Sequence, residues 1–409
     1  MFLFHRKTDG FNLLALDVLM MAIFFATATY GIKAMVSFVG LSAYEEQASL
    51  IWYIIWCVVY GRFLFFNRHM LIDLLIAEFI YLFLLYLSYQ HFPETREYYE
   101  DDQMFIRQII IIYIPSLTVA LKIKDFTGYI KSFRKLGMIG ISYMILAYFM
   151  NYTVRWEYQY FGVQICPFIV MLYASYLQYQ KRSDLIWVIV GFLFLMSGGR
   201  QSFIGFFVGL AVVYYCLRLH DLSIEKFLRI ALVSLVCFGF LILLLPCILD
   251  LLGGILNAMG MDSRTLDMLN GNELISTSTR DDIYELSFYF VKNNLCEIKG
   301  FYADRYLLRS FASWMAYPHN IVLELMIDFG VLLGGFIFAI IGFKYVIRIF
   351  KGSTDKRVII GILSTLVLVR LMVSSSFMVE GSFYTILGLL FNKYDDKKYF
   401  RTRNFKGIG

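Results

Sequence analysis

The hydrophobic residues of this chain are concentrated in long apolar runs that alternate with short polar connections. Runs of about 17–25 apolar residues match the length of an α-helix that crosses roughly 30 Å of hydrocarbon. Because every backbone amide in lipid must be hydrogen-bonded within its own segment, these runs are expected to be helices. We predict transmembrane helices near residues 11–39, 49–66, 70–90, 104–121, 136–152, 161–178, 184–198, 202–217, 228–252, 319–343, 358–376 and 382–392.

The composition favours one membrane domain over several soluble domains. Hydrophobic residues make up 59% of the 409 residues, and charged residues only 17%. The predicted fold class is therefore all-α, with residues 1–409 forming a single polytopic membrane helix bundle of about 12 transmembrane helices. The first run is too long for the apolar region of a cleavable signal peptide. Most cysteines lie in apolar runs, so neither a disulfide framework nor a cysteine metal site is expected.

The basic residues predict an orientation for this bundle. Of the 37 basic residues, 25 lie in alternate connections, on the side that includes both termini. The short connections on the opposite side are acidic, for example at Glu45, Glu46 and Glu94. This distribution follows the positive-inside rule and places both termini in the cytoplasm. The net charge of +6 is thereby explained by topology, and no nucleic-acid partner is expected.

Only one connection is long, at residues 253–318, and it falls on the predicted outer side. The positive-inside rule does not constrain loops of this length, so the six basic residues in it have no topological explanation. Residues 280–293 show helical periodicity, with Ile283, Leu286 and Phe290 on one face. Long loops held by a rigid scaffold often carry function.

Two arginines in outer segments are candidates for phosphate binding. Arg200 ends the Ser-Gly-Gly-Arg turn at 197–200, where glycines let a ligand approach the backbone. An arginine in such a turn can hold a phosphate bidentately, but it can also be a snorkelling side chain at a helix end. Arg280 follows Ser278 and Thr279, which are suited to cap a helix. The cap does not require Arg280, which is either functional or an ordinary solvated charge.

His319 is the candidate general base, because an imidazole with a pKa near 6.5 can accept a proton near neutral pH. It lies in a Tyr-Pro-His-Asn segment at 317–320, and Asn320 is placed to cap the helix that follows. A histidine used only for hydrogen bonding at a helix start is the alternative. No paired-histidine or His-x-Glu spacing accompanies it, so a metal site is not expected.

In this order, the three segments resemble the O-antigen polymerase and ligase superfamily of bacterial surface-polysaccharide assembly. The family pattern has a Ser-Gly-x-Arg turn, an arginine that opens a helix in a large outer loop, and a His-Asn pair that begins a span. These correspond to 197–200, Arg280 and His319-Asn320, with Asp328 and Gly330 downstream. The resemblance covers roughly residues 185–345. The family also has a glycine in the outer loop, which corresponds to Gly300. The sequence departs from the family where 294–295 replaces the usual proline before this glycine and where Phe301-Tyr302 follows it in place of a second glycine.

The resemblance implies a GT-C-like membrane glycosyltransferase of a bacterial inner (plasma) membrane, with its site on the outer, periplasmic face. Such enzymes transfer a glycan from undecaprenyl diphosphate to an acceptor sugar hydroxyl, with no cofactor and no metal. By this resemblance Arg200 and Arg280 would bind the diphosphate and His319 would act as base. The residues expected to bind sugar or phosphate are Arg305, Arg309, Tyr302 and Asn320.

The expected partners are an undecaprenyl-diphosphate-linked oligosaccharide and membrane lipid, and a chain-length regulator is left open. A polymerase of O-antigen or capsule repeat units is the leading interpretation. An O-antigen ligase that acts on lipid A core is the alternative within the class. A lipid-linked oligosaccharide flippase or transporter is the alternative from another class, although no internal repeat is found in the sequence.

Overall fold

The computed structural model of the chain describes residues 10–126, 128–150, 158–219, 250–251, 253–254 and 278–394. These residues are built from helices and connecting turns, and no strand occurs among them. The helices of the first part are α1 (Gly10–Phe38), α2 (Glu45–Phe66), α3 (Met70–His91), α4 (Arg96–Asp101), α5 (Gln103–Gln108), α6 (Ile114–Lys122), α7 (Tyr129–Met150), α8 (Tyr158–Tyr179), α9 (Arg182–Leu195) and α10 (Arg200–Tyr214). Those of the last part are α11 (Ser278–Asn293), α12 (Ala303–Arg309), α13 (Ile321–Lys351), α14 (Thr354–Val373) and α15 (Ser382–Phe391).

Eight helical segments of the described residues are long and apolar enough to cross a membrane. Every predicted span that falls within these residues coincides with a helical segment, which confirms the all-helical architecture of the described residues. The spans predicted at 184–198, 358–376 and 382–392 correspond to α9, α14 and α15, which are shorter or more polar than the eight. The span predicted near 228–252 lies almost wholly outside the described residues, so a total of 12 stays a prediction.

The central helices pack around α8, which contacts α7, α9, α10 and α14. One continuous apolar core connects α1 with the helices of the C-terminal part, whereas α2 and α3 leave most of their apolar side chains at least partly exposed. Exposed apolar side chains on a long helix are expected where the helix faces lipid.

One end of the bundle carries many of the basic residues that determined the predicted orientation. Asn392 organises it: its carbonyl accepts from Arg348 at 2.6 Å and from Lys356 at 3.0 Å, while its amide donates to Ala120 and Ile123. The structure therefore groups residues that are far apart in sequence at the basic end. We call the opposite end, where α11 and α12 lie, the site end.

Helix α13 is interrupted at Gly330, whose φ of 77° and ψ of 157° are not helical. The segment 294–300 pairs with the backbone that this break exposes. Val331 N donates to Asn294 O at 3.1 Å, and the carbonyl of Asp328 accepts from Gly300 N at 3.0 Å. The predicted span at 319–343 is thus two helical pieces, because a positive φ ends the helical hydrogen-bond ladder and the neighbouring loop replaces it.

A Gly330→Ala substitution is expected to destabilise the protein by roughly 1–3 kcal/mol. The positive φ disfavours any residue with a Cβ, and a Cβ there would lie 3.0 Å from the backbone carbon of Cys296. Gly342→Ala in the same helix is the matched control, because a Cβ at that position meets no atom within 4 Å. Thermal unfolding in detergent, followed by circular dichroism, measures both. Equal midpoints for the two variants would contradict the strain at Gly330.

Candidate functional site

His319 lies at the site end, directly before α13, and its backbone is fixed. Its φ is 55°, which is unusual for a residue with a side chain. The next residue, Asn320, caps α13: its Oδ1 accepts from Val322 N at 2.9 Å and from Leu323 N at 3.4 Å. The predicted cap is therefore confirmed. Because backbone strain on one side and a cap on the other hold the segment, the histidine ring is presented from a defined position.

The environment of His319 keeps its imidazole neutral. Burial, together with the positive charge of Arg280, lowers the pKa of His319 from 6.5 to about 4, while the backbone of Ser374 acts in the opposite direction. The Nδ1 atom is buried and has no hydrogen-bond partner among the described residues. A neutral imidazole with an unused nitrogen is a proton acceptor at neutral pH, so the predicted base has the protonation state that this role needs.

Arg280 is brought to His319 by the packing of α11. The predicted helix at 280–293 is confirmed, and Ile283 forms a small apolar cluster with Leu308 of α12 and Met315. This cluster fixes the first turn of α11, so half-buried Arg280 lies close enough for its charge to act on the ring of His319. The charge of Arg280 thus acts on the ring of His319, although the two residues are about forty positions apart in the sequence.

The segment that contains Arg200 also lies at the site end. Helix α10 begins at Arg200, after the predicted turn, but the side chain of Arg200 lies outside the described part of the structure. Its neighbour Gln201 accepts a hydrogen bond from Ser374 Oγ, and Ser374 O accepts one from Tyr317 OH at 3.1 Å. The three segments therefore meet at the site end. Ser374, which the sequence did not single out, connects Gln201 with Tyr317.

A buried cluster of charged residues lies beside this site. Arg305 of α12 forms an ion pair with Asp102, and both are at least nine-tenths buried. Asp304 N donates to Asp328 Oδ1 at 3.0 Å, but neither carboxylate oxygen of Asp304 has a partner among the described residues. Burial raises the pKa of Asp304 to about 6, although the neighbouring Arg305 lowers it in part. Glu324 completes the cluster and interacts electrostatically with Asp304 and Arg305.

The four predicted substrate ligands occupy different positions. Tyr302 and Arg305 are buried, with 0% and 4% of their surface exposed, so they lie beneath any surface that a sugar would touch. Asn320 uses its side-chain oxygen for the cap. Arg309 is about one-third exposed and lies 3.4 Å from Asp101. A substrate role for any of them stays a prediction.

Among the described residues, no group of three or more histidine, cysteine or acidic side chains has an arrangement that could hold a metal ion. The expectation of a reaction without metal or cofactor was made from the resemblance and stays a prediction.

Comparison with known proteins finds no similar protein: no family model matches the chain, and neither does any curated protein or solved structure.

Proposed function

We propose that this protein is a membrane glycosyltransferase that polymerises lipid-linked glycan repeat units. The observation that carries the proposal is the pairing of a neutral, buried imidazole at His319 with the cation Arg280 at one end of an apolar helix bundle. A base beside a cation suits a reaction in which a hydroxyl loses a proton while a nearby group gains negative charge. The apolar bundle supplies the surface along which a polyprenyl chain lies.

The proposed step transfers a glycan from undecaprenyl diphosphate to the hydroxyl of an acceptor sugar. The hydroxyl oxygen forms a bond to the anomeric carbon, and the bond from that carbon to the diphosphate oxygen breaks. The bonding electron pair leaves with the diphosphate, and the hydroxyl proton passes to the ring of His319. Arg280 stabilises the charge that grows on the diphosphate, and Arg200, at the start of α10, is assigned to the same group.

The charge of Arg280 links substrate binding to the basicity of His319. In the free protein this charge helps to lower the pKa of His319 to about 4. A bound diphosphate brings negative charge to Arg280 and offsets this effect, so the pKa of His319 rises when the donor is present. The imidazole thus becomes a stronger base when there is a substrate to act on.

The break at Gly330 bears on the alternative of a flippase or transporter, because discontinuous helices near the bilayer midplane are typical of transporters. In transporters the unwound backbone of such a helix faces the substrate or the coupling ion. Here the backbone groups next to the break are paired with the loop segment 294–300: Val331 N donates to Asn294 O, and Asp328 O accepts from Gly300 N. This pairing favours a role in shaping the site end.

Reconstitution into liposomes with a lipid-linked repeat unit as the sole glycan substrate tests the proposal. We expect a ladder of longer lipid-linked glycans on a gel. The proposal fails if products appear only when lipid A core is added, which would indicate a ligase. It also fails if the substrate crosses the bilayer unchanged and no longer glycan forms, which would indicate a flippase. A ladder with the lipid-linked unit alone supports the polymerase.

A further inference from the structure

The buried cluster beside the site has more acidic than basic groups. The guanidinium of Arg305 pairs with Asp102, and the carboxylates of Asp304, Glu324 and Asp328 interact with it electrostatically. Each is at least nine-tenths buried. Such carboxylates strongly favour a cation among them, because an isolated charge in a low-dielectric interior is unfavourable. Arg305 is therefore held in place by its surroundings rather than left free to reach a ligand.

Aromatic rings define the orientation of the Arg305 guanidinium. Its Cζ lies 4.6 Å from the ring centroid of Tyr302 and 5.5 Å from that of Tyr317. Tyr302 is fully buried and packs edge-on against Tyr99 at 4.8 Å, so it forms a rigid support. Tyr317, by contrast, belongs to the segment that carries His319. The guanidinium thus joins the buried cluster to the site through its contact with Tyr317.

Tyr317 is in turn the neighbour that fixes the ring of His319. The two ring centroids are 4.4 Å apart, and the hydroxyl of Tyr317 is tied to Ser374 O. The backbone of His319 is already set by its positive φ and by the cap at Asn320, so the remaining freedom is the rotation of the imidazole. A ring at this distance restricts that rotation and covers one side of the imidazole from water.

We propose that Arg305 is a positioning residue for the reaction: the buried carboxylates hold its guanidinium against Tyr317, and Tyr317 holds the ring of His319 in its working orientation. This inference rests on the proposed function, in which His319 is the base, and it gives Arg305 a role other than substrate binding. It also gives a function to Asp102 and Asp304, which no sequence motif marked.

Arg309 is a natural comparison, because it makes the same kinds of contact one turn further along α12. It pairs with Asp101 and lies 4.8 Å from the ring of Tyr98, but Tyr98 does not lead to His319. Arg305 and Arg309 thus differ in whether the tyrosine that each contacts also contacts His319. If Arg305 served only to attach α12 to the loop before α5, Arg309 would have the same role.

The test measures the protonation of His319 directly, without substrate. The full chain is labelled with isotopic histidine, reconstituted in nanodiscs and titrated by NMR, and the signal of His319 is identified by its loss in His319→Gln. The groups that face this ring are Arg280, Tyr317 and the Ser374 backbone. We expect Arg305→Ala to move the midpoint from about 4 towards 6.5, because a released ring is hydrated. Arg309→Ala should leave it in place.

A second pair of variants keeps the test decisive if Arg305→Ala does not fold. Tyr317→Leu removes the ring without changing charge and should also raise the midpoint, whereas Tyr317→Phe retains the ring and should stay near the wild-type value. An unchanged midpoint in Tyr317→Leu, or an equal change in Arg309→Ala, overturns the proposal.

In the reconstituted assay Arg305→Lys should lower kcat by roughly 10–100-fold with little change in KM, since Lys lacks the planar group that lies against the ring. If no variant of the chain, including wild type, polymerises glycan while the midpoints move as expected, the positioning stands and the proposed function fails.

Discussion

The His319→Gln variant is expected to lose about 10²–10⁴-fold in kcat for glycan polymerisation, the contribution typical of a general base. Glutamine has a similar reach and fills much of the same space, but it cannot accept the proton of the acceptor hydroxyl. The Nδ1 of His319 has no hydrogen-bond partner among the described residues, and the amide N–H of glutamine can donate to the Ser374 backbone in place of the ring. The loss should therefore appear in turnover and not in the amount of folded protein.

His91→Gln is the matched control for this variant. His91 ends α3 at the site end of the bundle, is exposed, and has Nδ1 2.9 Å from Leu87 O of its own helix. Its replacement should leave kcat within about twofold, as is usual for surface changes away from a site. Added imidazole should restore part of the turnover of His319→Ala, because the ring-sized space can admit the free base. Normal turnover in His319→Gln would remove the histidine from the mechanism.

The pH dependence of kcat/KM provides a second check on the same residue. The lowered pKa of His319 keeps the imidazole neutral until the pH approaches 4, so kcat/KM should hold from neutral pH down to about 5 and then fall. An ordinary histidine would already be half protonated at pH 6.5. The profile of kcat should fall at a higher pH than that of kcat/KM, because bound diphosphate raises the pKa of His319.

The helices of the membrane part could be predicted from the sequence because each is specified locally. An apolar run of sufficient length must be helical in lipid, whatever it packs against, and α1, α3 and α7 follow that rule. The loop helix α11 was equally readable, since Ile283, Leu286 and Phe290 recur with helical spacing and do pack on α12. In both cases the pattern that predicts the helix lies within a single segment of the sequence.

The break at Gly330 and the buried carboxylates could not be predicted in the same way, because they depend on pairs of distant segments. Gly330 lies within one long predicted span, and only the docking of 294–300 against it reveals the interruption. Asp102 stands in an acidic outer connection, where charge is expected for solvent exposure. It is buried because Arg305, about two hundred residues later, is folded onto it. The sequence shows the charges, but only the fold shows that they meet.

The Arg280→Gln variant is expected to lose about 10²–10³-fold in kcat, the usual effect of removing one group that stabilises charge in the transition state. It should also raise the pKa of His319 in the free protein, because the positive charge of Arg280 contributes to lowering it. The fall of kcat/KM at acid pH therefore moves to a higher pH in this variant. A general weakening of the fold would lower turnover without moving the profile upward in this way.

Arg280→Lys separates the geometry of Arg280 from its charge. Lysine keeps the positive charge near His319, so the pH at which kcat/KM falls should stay close to that of wild type. It cannot hold a diphosphate bidentately, so kcat should remain at least about tenfold below wild type. Lys292→Gln, an exposed position near the end of the same helix, is the control and should change neither quantity. If Arg280→Lys turns over at the wild-type rate, the bidentate role is wrong and only the charge of Arg280 acts; if Arg280→Gln also does, Arg280 has no part in the reaction.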